Sequence, residues 1–309
     1  MKSASIPPVI VVCKKETTVA AVLPRFGEGA TQALDEGRIF VGKRRATSSD
    51  AVRTGDEVWM YPRRPLPGEP PRILLERGGI VAVYKPPDMS TVADHHGCAG
   101  SLETVVQGML GGRGPIFATS RLDVGVSGVV LFATHDTSRR MLARAREEGR
   151  YLRHYVAVSA GLPTPERGLW TGAIGRGSDP RLRRVGGRSA SLAETAYAIA
   201  SATTKEALLA VEPKTGRTHQ IRVHAAHAGC PLWGDGAYGG PTRLVAASGA
   251  VTQVERIALH AAWVEVPLEP SVLLRAEAPV PADFHAIWTA LGGDLSAFAA
   301  ALPAIYPVT

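Results

Sequence analysis

Cysteine is scarce. Cys13, Cys98 and Cys230 are spread over 309 residues, odd in number and without a C-x-x-C spacing. That argues against a disulfide framework and a zinc ribbon, and a reduced cytoplasmic setting is expected. Long apolar runs are missing as well. Val9–Cys13 and Val129–Ala133 are the longest candidates, far short of the roughly 20 residues that span a bilayer, so no membrane association is expected. The N-terminus has a short apolar stretch, carries Pro7-Pro8 and leads into Lys14-Lys15, which makes a poor secretory signal. No glycine triplet, heptad or longer repeat runs through the chain, so collagen, coiled-coil and solenoid readings fall away. Lysine is rare too. The 35 basic residues include seven Lys, which leaves 28 Arg, at a net charge of +7. Arginine's planar fork reads phosphates and bases in pairs of hydrogen bonds. The basic excess is therefore compatible with nucleic acid, although a GC-rich genome produces the same Arg-for-Lys bias.

What is present is an ordinary globular composition, 45% hydrophobic and 20% charged, with length for about two domains. Pro62–Pro71 carries five prolines in ten residues, where regular structure is disfavoured. The expected division is a small domain at 1–62, a linker at 63–71 and a large domain at 72–309. In the small part, Thr31–Glu36 suits a helix closed by Gly37. Arg38–Val41 and Glu57–Tyr61 suit strands, and Gly42-Lys43 suits a turn. Arg38, Lys43, Arg44 and Arg45 crowd that turn, and residues 1–64 hold 11 basic against 7 acidic residues.

In the larger part, strands are expected at Ile80–Tyr84, Gly128–Ala133, Tyr155–Ser159, Ala193–Ala200, Ala207–Val211 and Ile257–Val266. Helices are expected from a Ser101 cap through Leu110, over Thr137–Glu148, and from a Thr218 cap to Ala228. The irregular alternation favours an α+β fold.

Two segments hold candidate chemistry. In Ser120–Gly128 (SRLDVGVSG), Asp123 sits in a polar turn that feeds an apolar strand. A carboxylate held there suits a nucleophile, a general base or a metal ligand, or simply a capped turn. In Lys214–Gly229 (KTGRTHQIRVHAAHAG), Arg217 lies beside a helix start that favours an anion. Ile221, Ala225 and Ala228 form an apolar stripe on that helix. Arg222 adjoins the stripe, and a partly buried Arg needs a carboxylate or phosphate, for which Asp123 is the obvious candidate. The three histidines 219, 224 and 227 lack a metal-binding pattern, and no metal is expected. Gly125–Gly128 misses the G-x-S-x-G elbow by one residue, which leaves a serine hydrolase built on Ser127 as a remote reading.

These segments together resemble the RluA-type pseudouridine synthases. Ser120–Gly128 matches that family's H-R-L-D-x-x-T-S-G, with Ser120 and Val126 departing from it. Thr215–Gly239 matches T-G-R-x-H-Q-I-R-V-H, followed by Pro231, Gly234-Asp235 and Tyr238-Gly239. Lys85-Pro86, Arg153–Tyr155 and Arg256–Ala261 match three further motifs. In the small domain at 1–62, the order of the Thr31–Glu36 helix, the basic turn Arg38–Arg45 and the closing Gly55–Val58 resembles an S4 RNA-binding module.

The resemblance implies a mixed, mainly antiparallel sheet flanked by helices, no cofactor, and a monomer acting on RNA. The activity it implies is isomerisation of uridine in RNA, most readily large-subunit ribosomal RNA. A tRNA target and a non-catalytic RNA-binding role on the same fold are the alternatives. Asp123 would be the catalytic carboxylate, placed by Arg222. Tyr155 would pack against the uracil and help remove its C5 proton. Arg121 and Arg217 would hold phosphates or the flipped strand, and Arg38, Lys43, Arg44 and Arg45 would bind RNA from the front module.

Overall fold

Strands that are apolar at nearly every position form the centre of a large sheet in the computed structural model. It describes residues 9–27, 29–35, 39–42, 44–60, 69–92, 101–112, 114–179, 181–245, 251–254, 256–269 and 272–298. Ile80–Lys85 and Ser127–Ala133 are buried throughout, as expected for strands covered on both faces. The sheet has ten strands. Its main path runs Arg167–Thr171, Glu194–Ala202, Glu206–Pro213, Leu152–Ala160, Leu259–Glu269, Ser127–Ala133, Ile80–Lys85, Arg72–Arg77. Val272–Glu277 pairs with Leu259–Glu269, and Phe117–Ala118 pairs with Ser127–Ala133.

Pairing is antiparallel except between Ser127–Ala133 and Leu259–Glu269, where Ser127 faces His260 and Gly128 faces Ala261 in parallel. Gly128 has φ +124, and a Cβ there would lie 2.2 Å from the Ala261 carbonyl oxygen. Only glycine permits that approach. The fold is α+β with a mixed, mainly antiparallel sheet.

Helices cover the sheet. Asp136–Glu147 sets Leu142 and Ala145 against Ile80, Leu131 and Val264. Ala282–Ala290 sets Phe284, Ile287 and Trp288 against Val156, Leu208 and Trp263. Residues 68–89 and 114–309 make up this unit, and residues 1–67 with 90–113 make up a second.

In the second unit, a four-stranded antiparallel sheet runs Val9–Val12, Glu57–Met60, Ile39–Val41, Arg44–Arg45. Val19, Val22, Ala30, Ala33, Ile39 and Val58 share its buried cluster. The Leu102–Met109 helix starts at Ser101, whose hydroxyl accepts from the Thr104 amide at 3.2 Å, the expected cap. Gly37 and most of the Pro-rich stretch lie outside the described residues.

Three expectations need correction. Thr218 caps nothing: the helix is Gln220–His227, and its N-cap is His219 in the left-handed region at φ 58. The Gln220 side chain closes the preceding turn instead, its Oε1 accepting from the Arg217 amide at 2.9 Å and the Thr215 hydroxyl at 2.7 Å. The apolar stripe is also misread. Gln220 through Ala225 are all buried while Ala228 is exposed, because the helix is submerged rather than laid on one face. The last long strand starts at Leu259 rather than Ile257.

Buried histidines make stability acid-sensitive. Burial pushes His260 down to about 3 and His154 to about 4. The unfolded chain takes up these protons as pH falls below about 6.5, while the folded chain resists, so stability is lost as pH drops from there. Denaturant titrations at descending pH are expected to show this. His260→Asn keeps an acceptor for Ser127 and should lose less stability between pH 6.5 and 4. An equal loss in both proteins would refute the assignment.

Candidate active site

Asp123 lies in a turn closed by the Val126 amide, which donates to the Asp123 carbonyl at 3.0 Å. The turn is gripped from both sides. Lys85 is fully buried, and its Nζ donates to the carbonyls of Met89 (2.6 Å), Pro86 (2.9 Å) and Val124 (3.2 Å). Burial, then the Arg256 charge, pushes the Lys85 ammonium down to about 7. Three carbonyls nevertheless match the three N–H donors that only the charged amine carries. The Asp88 amide also donates to the Val124 carbonyl at 2.7 Å.

On the other side, Arg256 Nη2 donates to Ser127 Oγ at 2.6 Å, and Ser127 lies 2.7 Å from His260 Nδ1. His260 Nε2 faces the Ala278 carbonyl at 3.2 Å. A carbonyl only accepts, so Nε2 carries the proton and Ser127 donates to Nδ1. Ser127 is fully buried in this relay. It presents no nucleophile to solvent, so the hydrolase reading is dropped.

Arg222 reaches the turn from the helix, 99 residues along the chain. Its Nη1 donates to Asp123 Oδ2 at 2.8 Å. Its Nε and Nη2 fork onto Asp235, at 2.7 and 2.8 Å. Asp235 is 1% exposed and Arg222 7%, a geometry in which both partners stay satisfied. Burial alone would lower the guanidinium's pKa, but Asp235 and then Asp123 outweigh it and the net shift is upward.

The Tyr238 ring lies beneath the guanidinium, 4.8 Å away. Tyr238 Oη accepts from the Arg183 amide at 3.0 Å and lies 2.7 Å from His219 Nδ1. His219 Nε2 lies 3.9 Å from Asp123 Oδ1. Burial lowers the His219 pKa, partly offset by Asp123.

Tyr155 sits on the strand Leu152–Ala160, after a register shift between His154 and Tyr155. Such bulges re-aim side chains. Burial pushes its phenol up to about 12, and the Asp123 charge is among the smaller contributions. At neutral pH it is therefore a neutral phenol, a ring face and hydroxyl rather than a base of matched pKa. Arg153, on the same strand, donates from Nη2 to the Pro213 and Thr215 carbonyls at 3.0 and 2.8 Å. It thereby fixes the loop that leads to the helix.

The uncharacterised RNA pseudouridine synthase YhcT of Bacillus subtilis is 34% identical over 221 residues, 68% of this chain and 69% of its own. The RNA pseudouridylate synthase family profile matches residues 79–227. The chain belongs to the RNA pseudouridine synthase family, RluA type. Ribosomal large subunit pseudouridine synthase D of Vibrio cholerae is 32% identical, covering 73% of this synthase and 72% of its own length. The structure of human RNA pseudouridylate synthase domain containing 4 superposes with a TM-score of 0.57 at 22% identity, over 71% of this chain and 92% of that one. The last likeness concerns the fold alone.

In this synthase the fold brings Asp123 and Arg222 into contact, as the sequence reading expected, and sets Tyr155 within electrostatic reach of Asp123. Arg121 is exposed two residues before Asp123. Arg217 is also exposed, and its Nε donates to the Leu192 carbonyl at 3.0 Å. Arg44 pairs with Asp50 at 2.8 Å. Arg38 and Lys43, and the Arg45 side chain, lie outside the described residues.

The three histidines do not converge. His224 bonds Thr195 at 2.9 Å, His219 meets Tyr238, and His227 is exposed. Sequence reasoning missed Asp235, Tyr238 and His219 as site residues. The G-D and Y-G pairs of the motif were visible, but nothing in their spacing from Arg222 shows that they fold back beneath it.

Proposed function

We propose that the synthase converts uridine to pseudouridine in large-subunit ribosomal RNA, with Asp123 as its catalytic carboxylate. The carrying observation is the asymmetry of Asp123. One oxygen is held by Arg222 at 2.8 Å, while the side chain stays about a quarter exposed (24%). A carboxylate fixed on one side and open on the other suits a reacting group.

The uridine is flipped out of its stack. The N1–C1′ bond breaks, the uracil turns, and C5 bonds to C1′. The C5 proton leaves and N1 gains one, so no electrons enter or leave. Arg222 positions Asp123 and is itself fixed by Asp235. Tyr155 offers its ring to the uracil as a neutral phenol. Arg121 and Arg217 serve the flanking strand. The small unit, with its sheet and exposed Arg44, serves as an S4-like RNA-binding module. The ribosomal target draws on the Vibrio cholerae relative's name.

The test has two arms. RNA labelled with tritium at uridine C5 should release it on incubation with the enzyme. Large-subunit RNA from cells without the gene should lack at least one pseudouridine. Tight RNA binding with no tritium release would favour the non-catalytic alternative, and an unchanged large-subunit map would sink the target.

A further inference from the structure

A short antiparallel sheet, ordered Arg183–Val185, Ile174–Arg176, Arg188–Ser191, lies apart from the main one. Its register sets Arg176 directly opposite Arg183 on one side and Arg188 on the other. Directly opposed side chains lie about 5 Å apart at Cβ, and like charges in that position are destabilising.

No carboxylate relieves Arg176 or Arg188 among the described residues. Asp179, in the connecting turn, is taken by Arg181 at 2.7 Å. The backbone segments approach closely along the row. A Cβ on Gly175 would lie 2.5 Å from the Arg188 carbonyl oxygen, and one on Gly187 2.6 Å from that of Arg176.

The row shares its face with Ile174 and Val185, which pack with Val223 of the Arg222 helix and with Tyr238. Arg184 pairs with Gly175, one step along each strand from that register, and so points to the opposite face. The Arg183 amide binds Tyr238 Oη, which in turn contacts His219 beside Asp123. The row therefore begins at the candidate site.

We propose that Arg176, Arg183 and Arg188 form a phosphate-binding row for the RNA strand that flanks the flipped uridine. This rests on the RNA reading above. Arg176 and Arg188, held opposite each other at a cost and beside Arg183, become favourably placed when polyanion phosphates lie across the row. Arg183 joins the row through its guanidinium and ties it to the site through its main chain.

The experiment uses the full chain and a fluorescein-labelled uridine oligonucleotide, with affinity measured across a potassium chloride series. Each phosphate contact to a single strand contributes about 0.7 to the slope of log affinity against log salt. Arg176→Gln and Arg188→Gln should each flatten the slope by about that amount, which is about a five-fold change in relative affinity over one decade of salt. Arg184→Gln removes the same charge from the other face and should leave the slope unchanged. Arg188→Lys should restore most of the slope, since phosphate contact needs the charge.

Equal slopes in Arg176→Gln, Arg188→Gln and Arg184→Gln would overturn the row, as would salt-independent binding by the wild type. A wild type that binds with these slopes yet releases no tritium would sink the catalytic reading and leave the row standing.

Discussion

Asp123→Asn is expected to abolish pseudouridine formation while leaving the fold and RNA binding intact. The amide keeps the size of the carboxylate and an oxygen that accepts from Arg222 Nη1, now 2.8 Å from Asp123. What it loses is the charge and the ability to bond or exchange a proton with the uridine. Removing a group of that kind costs on the order of 10⁴-fold or more. The readout is tritium release from C5-labelled RNA, with oligonucleotide affinity and melting temperature measured beside it. A variant that keeps a tenth of the wild-type rate would remove Asp123 from the chemistry. Loss of rate together with a large drop in melting temperature would show a structural role instead.

Asp235→Ala is expected to damage both stability and rate. Asp235 takes two of the hydrogen bonds of a buried guanidinium, at 2.7 and 2.8 Å. Removing one partner of a buried pair leaves an uncompensated charge and costs about 3–5 kcal/mol. Arg222 would then seek another partner, and its hold on Asp123 would loosen. Unfolding in denaturant should show the first effect, and kcat on RNA the second.

A double variant, Asp235→Ala with Arg222→Met, separates the two effects. Apolar replacement of a buried pair is often neutral for stability, so most of the stability should return. The rate should not, because Asp123 has lost its anchor. Recovery of the rate would show that Arg222 is dispensable, and failure to recover stability would show that Asp235 acts through something other than Arg222.

The Asp123–Arg222 contact was legible in the sequence, because a near-buried arginine demands an acid and few acids sit in constrained turns. The strands Ile80–Lys85 and Ser127–Ala133 were legible because continuous apolar runs of that length have few other homes. Asp235 was not. Its role depends on the turn after the helix folding back, where a Cβ on Gly234 would meet the Arg256 carbonyl oxygen at 1.8 Å. The start of the helix was misjudged because Thr218 is a good generic cap, and only the tertiary position of Gln220 reveals the closure that replaced it. The sheet at 174–191 escaped notice altogether, since its arginines share a face only through strand register.

The position of Leu259–Glu269 has a consequence for synthesis. It lies between Leu152–Ala160 and Ser127–Ala133 in the main sheet, yet it leaves the ribosome after both of them. Until it arrives, both neighbours present unpaired backbone edges, which invite pairing with other chains. The relay that fixes the Asp123 turn, Arg256–Ser127–His260, draws His260 from this strand and Arg256 from just before it. A nascent chain that stops short of it carries Asp123 without the relay that holds it. Assembly of the candidate site is thereby tied to synthesis of this strand, and a product that ends short of it is exposed to aggregation before it is exposed to substrate.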